Sequence, residues 1–256
     1  MQEHAAEHTK DGSSLWLLHI TDNHLFADPS ESRYGISSVD SLRRVLASAS
    51  DTRQPDLVVN TGDIANDQTL EVYEMYVSIV REFIASPMIA TPGNHDLTKP
   101  FDEVLPRDPI TMKHWHILGV DSHIDDVVGG FISQDEMGRV KEELRTNELP
   151  TLLIGHHPAN EIGCAWIDEH RISNGDQFLT ELEPFSHVKA YLSGHVHQRF
   201  DAYVNDLLLM TTPSTCWQFK TGSDSFAVDD LPPGWRWLEL RADGKINTHV
   251  ERLDSA

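Results

Sequence analysis

Aspartate, asparagine and histidine residues occur in small groups along this 256-residue chain, and each group follows a short apolar run. Carboxylate, imidazole and amide oxygen ligands suit divalent ions of borderline hardness, such as Zn, Mn or Fe, better than a metal that prefers thiolates. The chemistry therefore fits a pair of divalent metal ions. The residues concerned are Asp22, His24, Asp63, Asn94, His95, Asp96, His156, His195 and His197.

The apolar runs that precede these groups predict buried strands. They occur at 15–20, 56–62, 88–93, 116–121, 151–157 and 188–195. Helical spacing over 39–50 and 70–84 lies between the early runs, and this alternation favours parallel β-α-β units in an α/β fold. Loops beyond the carboxyl ends of parallel strands converge on one crevice. The scattered groups are therefore expected to form a single site.

The pattern changes after residue 200, where alternating strands are separated by turn signals at 204–206 and 242–244. This pattern predicts antiparallel hairpins at the end of the chain. The Pro/Gly-rich stretch at 229–234 is typical of a loop. We predict a polar N-terminal extension over 1–14 and a single domain over 15–256.

Glycine precedes several of the candidate ligands, at Gly62, Gly93, Gly155 and Gly194. The simplest reason is that a strand must turn sharply there for the next side chain to point inward.

The composition limits the classes of ligand. The formal net charge of -21 disfavours nucleic acid polymers, because binding them requires Lys and Arg to neutralise phosphates. Bound cations would still allow one pocket to attract a small anion. Two cysteines, Cys164 and Cys216, are too few for a disulfide framework. The first apolar run, Leu15 to Ile20, is far too short for a signal sequence or a membrane span. We expect a cytoplasmic protein that binds no membrane.

The segments TDNHL, NTGDIAND, TPGNHD, IGHHP and SGHVH resemble, in order, the five motifs of the calcineurin-like metallophosphoesterases: DxH, GD, GNHD, GH and GHxH. The region from Ser193 to Gly244 resembles more narrowly the bacterial class III cyclic AMP phosphodiesterases. The superfamily resemblance implies a four-layer α/β/β/α sandwich with a dimetal site at one edge of its two central sheets.

Carried over motif by motif, the resemblance assigns Asp22, His24 and His197 to one metal. It assigns Asn94, His156 and His195 to the other, with Asp63 bridging both. Two ions that share a carboxylate could activate a bridging hydroxide for in-line attack on phosphorus. His95 is not assigned to a metal and is the expected general acid for the leaving alkoxide. The residues expected to contact substrate are His24, Asp63, Asn94, His95 and His197.

The expected reaction is hydrolysis of 3′,5′-cyclic AMP to 5′-AMP. The alternatives are a phosphodiesterase for another small diester, such as a glycerophosphodiester or a 2′,3′-cyclic nucleotide, and a non-catalytic scaffold of the same fold. The sequence favours catalysis over the scaffold because none of the motif ligands is missing.

Other polar and aromatic residues are expected to be structural. Asp96, Asn66 and Asp67 are expected to order loops or orient a neighbouring histidine. His157 directly follows a proposed ligand on an extended segment, so its side chain should point to the opposite side. The tryptophans are expected to pack, although Trp166 could instead flank a purine. His114, His116 and His123 lack motif support, and the sequence assigns no role to Thr212, Ser214, Thr215 or Cys216.

Overall fold

The computed structural model describes residues 14–254, so all but the last residue of the predicted N-terminal extension lies outside the described residues. The first group of strands is β1 (Leu15–Ile20), β2 (Ser32–Arg33), β3 (Ile36–Ser37), β4 (Leu57–Asn60), β5 (Met88–Ala90), β6 (Ile110–Met112), β7 (Trp115–Gly119) and β8 (Thr151–Ile154). The later strands are β9 (Val188–Ser193), β10 (Phe200–Val204), β11 (Leu207–Thr211), β12 (Gln218–Phe219), β13 (Val228–Asp229), β14 (Gly234–Leu240) and β15 (Ile246–Arg252). The helices are α1 (Ser38–Thr52), α2 (Leu70–Phe83), α3 (Thr98–Val104), α4 (Gln134–Thr146), α5 (Ala165–Asp168) and α6 (Gly175–Leu182).

One central sheet contains five strands in the order β15-β14-β1-β4-β5. β1, β4 and β5 are parallel and alternate with α1 and α2, as the sequence pattern predicted. β14 and β15 form an antiparallel hairpin that joins the free side of β1.

The second sheet contains six strands in the order β10-β11-β9-β8-β7-β6. β7, β8, β9 and β11 are parallel, and the edge strands β6 and β10 are antiparallel to their neighbours. Both predicted C-terminal hairpins are present. They belong to different sheets, which the sequence pattern did not indicate.

Both faces of the central strands are buried, which explains why their sequences are continuously apolar rather than alternating. Leu17 and Val59 point toward the second sheet, whereas their neighbours Leu18 and Val58 pack beneath α1 and α2. On the second sheet, Leu152 faces the first sheet and Leu153 packs with residues of α4 and α6. The layers are therefore helix, sheet, sheet and helix, which confirms the four-layer sandwich.

Within residues 14–254, none of the helices is both long and apolar enough to cross a membrane.

Candidate metal centre

The loops that follow β1 and β4 run side by side and are hydrogen-bonded to each other. The Asp22 N–H donates to the Gly62 carbonyl and the His24 N–H donates to the Asp63 carbonyl, both at 2.9 Å. A further bridge joins Leu25 to Ala65. These bonds extend the parallel pairing beyond the strands, so the first two predicted groups of ligands face one another.

Five candidate ligands adopt left-handed backbone conformations, with φ between +48° and +68°. They are Asp22, His24, Asp63, His195 and His197. Residues other than glycine rarely have positive φ, although Asp and His tolerate it better than most. Such conformations cost free energy and occur most often at functional sites, where the surrounding structure maintains them. The sharp turns are thus made by the candidate ligands themselves.

This geometry corrects the interpretation of the preceding glycines. Only Gly62 among the four has positive φ, at +96°. The other glycines are needed for space: a Cβ on Gly93 would clash with the Asp63 carboxylate and lie 2.7 Å from His156 Cε1. A Cβ on Gly194 would lie 2.9 Å from Asp22 Oδ2, and one on Gly155 would clash with the Tyr191 hydroxyl.

The first set of donor atoms comes from Asp22, His24 and His197, with Asp63 beside them. The Nε2 atoms of His24 and His197 are 3.0 Å apart, and His197 Nε2 is 3.4 Å from Asp22 Oδ1. His24 Nε2 is 3.8 Å from Asp63 Oδ2. All four side chains are buried.

The second set comes from Asn94, His156 and His195, and it meets the other oxygen of Asp63. Asn94 Oδ1 is 2.9 Å from His195 Nδ1 and 3.1 Å from His156 Nε2. His156 Nε2 is 3.4 Å from Asp63 Oδ1. The Asp63 carboxylate therefore lies between the two sets, with one oxygen toward each.

Backbone carbonyls fix the tautomers of two of these imidazoles. His156 Nδ1 donates to the Thr61 carbonyl at 2.6 Å, and His197 Nδ1 donates to the Trp217 carbonyl at 2.7 Å. When such a ring is neutral its lone pair is therefore on Nε2, which faces oxygen atoms of other ligands. These facing lone pairs repel unless a proton or a cation lies between them.

Burial lowers the pKa of His24 and of His195 well below the usual histidine value, and neighbouring imidazoles lower both further. Burial would raise the pKa of Asp22, but His197 and other neighbours bring it below its usual value. Neutral imidazoles and an ionised carboxylate are the forms that bind metal. The donor set therefore fits a pair of divalent cations.

Asp96 has the loop-ordering position predicted for it. Its carboxylate accepts hydrogen bonds from the backbone N–H groups of Ile64, Ala65 and Gly93, and from the Tyr73 hydroxyl. It therefore ties the loop after β4 to the loop after β5. Burial, reinforced by the nearby negative charge of Asp63, raises the pKa of Asp96 to about 7.

His95 lies at the rim of this cluster and is half-buried. Its backbone N–H donates to Asp63 Oδ1 at 2.8 Å, and its carbonyl accepts from Gln68 Nε2 at 3.1 Å. One ring nitrogen lies within 4.8 Å of donor atoms of His24 and Asp63. His95 is thus adjacent to the donors on the side that includes His24.

The His157 side chain does not point away from His156 as expected: its ring centroid lies 4.8 Å from that of His156 and 4.9 Å from that of His195. Both of its ring nitrogens nevertheless have other partners. Nδ1 is 2.8 Å from Ser122 Oγ, and Nε2 donates to the Val128 carbonyl at 3.0 Å. These bonds agree with a structural role.

Two other polar residues that were expected to be structural also contact protein groups. Asp67 accepts a hydrogen bond from the Ala27 N–H, and His116 contacts Thr111 on the neighbouring strand.

The segment 211–219, to which the sequence assigned no role, supports the first donor set. The Ser214 hydroxyl donates to the Asp22 carbonyl at 2.7 Å, and the Trp217 carbonyl orients His197. The Trp217 ring stacks on His24 with a centroid separation of 4.7 Å and an interplanar angle of 23°. Every residue has a backbone carbonyl, so a sequence cannot reveal which carbonyl orients a ligand. Only the resemblance of the C-terminal region to cyclic AMP phosphodiesterases pointed to this segment.

The structure thus brings all seven predicted ligands and His95 into one cluster. The sequence model of the calcineurin-like phosphoesterases matches residues 15–199. The chain is 38% identical over 246 residues to the 3′,5′-cyclic adenosine monophosphate phosphodiesterase CpdA of Escherichia coli, covering 93% of this chain and 89% of that protein. It is 36% identical over 249 residues to the protein of the same name from Haemophilus influenzae, covering 94% and 90% of the two chains.

Among solved structures, a dimetal phosphatase from Danio rerio has a similar fold. The TM-score is 0.64 at 13% sequence identity, and the match covers 91% of this chain and 98% of that chain.

Proposed function

The chain belongs to the calcineurin-like phosphoesterase family, and on this premise we propose that it is a metal-dependent phosphodiesterase that hydrolyses 3′,5′-cyclic AMP to 5′-AMP. One structural observation carries the catalytic part of the proposal: two sets of buried donor atoms converge on opposite oxygens of Asp63. The near full-length similarity to the two cyclic AMP phosphodiesterases supports the substrate.

Asp22, His24 and His197 would hold one ion, and Asn94, His156 and His195 would hold the other. Asp63 would contact both. The contacts of His156 with Thr61 and of His197 with Trp217 support this assignment, because they direct a lone pair toward each proposed ion. The donors suit Fe, Mn or Zn.

When bound, two divalent ions would supply Lewis acidity at the phosphoryl oxygens and lower the pKa of an attacking water. Asn94 Oδ1 faces His156 and His195, and the Nδ2 group of the same amide would donate to a phosphoryl oxygen. Six of the seven proposed ligands are buried, all except the half-buried Asn94, and donors preorganised in this way need little reorganisation as charge develops.

His95 would protonate the departing 3′ oxygen of the ribose. Its backbone bonds to Asp63 and Gln68 fix its position beside the cluster, while its side chain stays half-buried and open to substrate. Histidine is suited to this step because its protonated ring can donate a proton near neutral pH. The phosphate and ribose would then lie against His24, Asp63, Asn94, His95 and His197.

We also propose a reducing cytoplasmic location and a small-molecule substrate. Cys164 and Cys216 are both buried free thiols, which is typical of a compartment that does not form disulfides. The strong net negative charge argues against a polyanionic substrate.

A comparison of small diesters tests the substrate. Enzyme loaded separately with Mn, Fe or Zn would be assayed with 3′,5′-cyclic AMP, 3′,5′-cyclic GMP, 2′,3′-cyclic AMP and glycerophosphoethanolamine. We expect kcat/KM for 3′,5′-cyclic AMP to exceed that for the glycerol diester, since specificity is a ratio across substrates. Equal or lower kcat/KM for cyclic AMP would overturn the substrate assignment.

A further inference from the structure

A group of aromatic rings extends outward from the first donor set. Trp217, which stacks on His24, is contacted edge-on by Tyr34 at a centroid distance of 5.4 Å. Tyr34 in turn lies 6.2 Å from Phe226. These contacts form a continuous path of rings from a proposed metal ligand to the protein surface.

The outermost rings of this path are exposed. Tyr34 is 48% exposed and Phe226 is 52% exposed, whereas Trp217 is only 3% exposed. Adjacent exposed aromatic side chains beside a catalytic cluster are typical of a binding surface, because burying them against a ligand is favourable.

The backbone that presents Tyr34 is strained. Tyr34 and Gly35 form the two-residue loop between β2 and β3, with φ of +53° and +77°. Such a turn favours Asn and Gly, and a bulky residue at positive φ is an outlier. Residues held in such conformations cluster at active sites and ligand-binding positions.

Phe226 packs against two other aromatic rings. Phe219 and Trp166 lie 5.5 Å and 5.4 Å from it, and they contact each other at 5.0 Å. Phe219 also stacks on His197 at 4.0 Å with an interplanar angle of 14°. The surface is therefore anchored on His24 through Trp217 and on His197 through Phe219.

We propose that the exposed faces of Tyr34 and Phe226 form the subsite for the adenine base, an inference that rests on the proposed function. In a 3′,5′-cyclic nucleotide a single ribose separates the phosphate from the base, so a base beside the first donor set can reach these rings. Every purine has a π-face that stacks on aromatic side chains.

The base would lie across the two rings rather than between them. A planar ring held between two other rings needs about 7 Å between those two rings, which is the sum of two carbon contacts of about 3.5 Å each. The 6.2 Å between Tyr34 and Phe226, with a tilt of 40°, is smaller than this. The Arg33 guanidinium, 5.6 Å from the Tyr34 ring and 5.8 Å from the Trp217 ring, would face the edge of the bound nucleotide.

Binding of products to the metal-loaded protein tests the subsite separately from catalysis. Calorimetry would compare AMP with ribose 5-phosphate, which lacks the base, for Tyr34→Asn and Phe226→Ala. Asparagine suits the left-handed turn position, so this change removes the ring while preserving the hairpin. Tyr34→Phe keeps the stacking surface, and Tyr203→Ala removes an exposed ring from β10 as a matched control.

We expect the preference for AMP over ribose 5-phosphate to fall about tenfold in each ring-removing variant, as for the loss of one base-stacking contact. Tyr34→Phe and Tyr203→Ala should keep the wild-type preference. In parallel assays of 3′,5′-cyclic AMP, the two ring-removing variants should show mainly a raised KM.

The outcomes distinguish the two proposals. If the wild type hydrolyses cyclic AMP but Tyr34→Asn and Phe226→Ala keep the full preference for AMP, the subsite is wrong and the proposed function stands. Equal weakening of AMP and ribose 5-phosphate would also contradict it, because the rings would then not bind the base. A wild type inactive on cyclic AMP would overturn the proposed function together with the subsite.

Discussion

The Asp63 carboxylate lies between the two sets of donor atoms. Its two carboxylate oxygens face different sets of donors, at 3.8 Å from His24 Nε2 and 3.4 Å from His156 Nε2. Oδ1 also accepts the His95 N–H. Removing this carboxylate would take one ligand from each proposed ion, together with the negative charge that the two ions share.

We therefore predict that Asp63→Ala loses metal from both positions and essentially all activity. Metal content per chain after gel filtration, measured beside turnover of cyclic AMP, provides the check. Asp51→Ala removes an exposed carboxylate near the end of α1 and should match the wild type. A variant that kept about two ions per chain and remained active would show that Asp63 does not bridge.

His95 should affect the leaving group and not the metals. In His95→Ala we expect both ions to be retained, while kcat falls by roughly 10²- to 10⁴-fold on cyclic AMP, whose alkoxide leaving group needs a proton. The defect should be smaller on an activated nitrophenyl diester, since nitrophenolate departs with little need for protonation.

The control for this change is His249→Ala, which removes an exposed imidazole on β15. Equal losses on both kinds of diester would argue against the general acid. Loss of metal would instead indicate that the nearby His95 ring nitrogen is a ligand.

At the scale of elements, the site depends on how closely the loops after the strands approach one another. Gly93 follows β5 at a place where a Cβ would meet both the Asp63 carboxylate and the His156 ring. Both neighbours are buried and proposed as ligands, so neither can move without changing the cluster.

We predict that Gly93→Ala lowers the metal content and reduces kcat/KM by at least about tenfold; the rate falls because a small displacement of catalytic groups can cost a factor of this order or more. Gly138→Ala in α4 is the matched control, since its added Cβ meets no atom within 4 Å. That control should retain full activity and stabilise the helix by about 0.5–1 kcal/mol. Wild-type metal binding by Gly93→Ala would contradict the proposed packing constraint.

The sequence predicted those elements well whose position is indicated by the types of their side chains. Apolar runs such as Leu15–Ile20 located the central strands, and the position of Asp22 and His24 just beyond that strand placed them at the site. The turn signals at 204–206 and 242–244 also identified true hairpins. These features depend on local periodicity and turn chemistry, which a single sequence contains.

Other features depend on contacts between distant segments. The β14–β15 hairpin pairs with β1 and the β10–β11 hairpin pairs with β9, but the local pattern of the two hairpins is similar. The carbonyls of Thr61 and Trp217 orient histidines through backbone atoms that every residue has. The short β2–β3 hairpin that presents Tyr34 likewise gave no apolar run from which to predict it.

At the scale of the whole molecule, the proposed ions would connect the two sheets. Asp22, Asp63 and Asn94 follow strands of the five-stranded sheet, whereas His156 and His195 follow β8 and β9 of the six-stranded sheet. A ligand that binds only the folded state stabilises it by mass action. Metal binding should therefore stabilise the sandwich as a unit.

We predict that chelation lowers Tm and that reloading restores it. An ion present at about 100 times its Kd contributes about 2.7 kcal/mol, which corresponds to roughly 5–10 °C for a chain of this size. Calorimetry of the stripped and reloaded protein gives the comparison. Asp63→Ala should show almost no increase on reloading. An increase equal to that of the wild type would mean that the stabilising metal binds elsewhere.

The central claim is that this chain breaks the bond between phosphorus and the 3′ oxygen of 3′,5′-cyclic AMP. The most direct test is to identify the product of the metal-loaded enzyme by chromatography and phosphorus NMR, in water enriched in oxygen-18. Because an attacking water displaces the 3′ oxygen, we predict 5′-AMP as the product, with one solvent oxygen in its phosphate. Formation of mainly 3′-AMP, or of 5′-AMP without solvent oxygen in the phosphate, would contradict the proposed reaction.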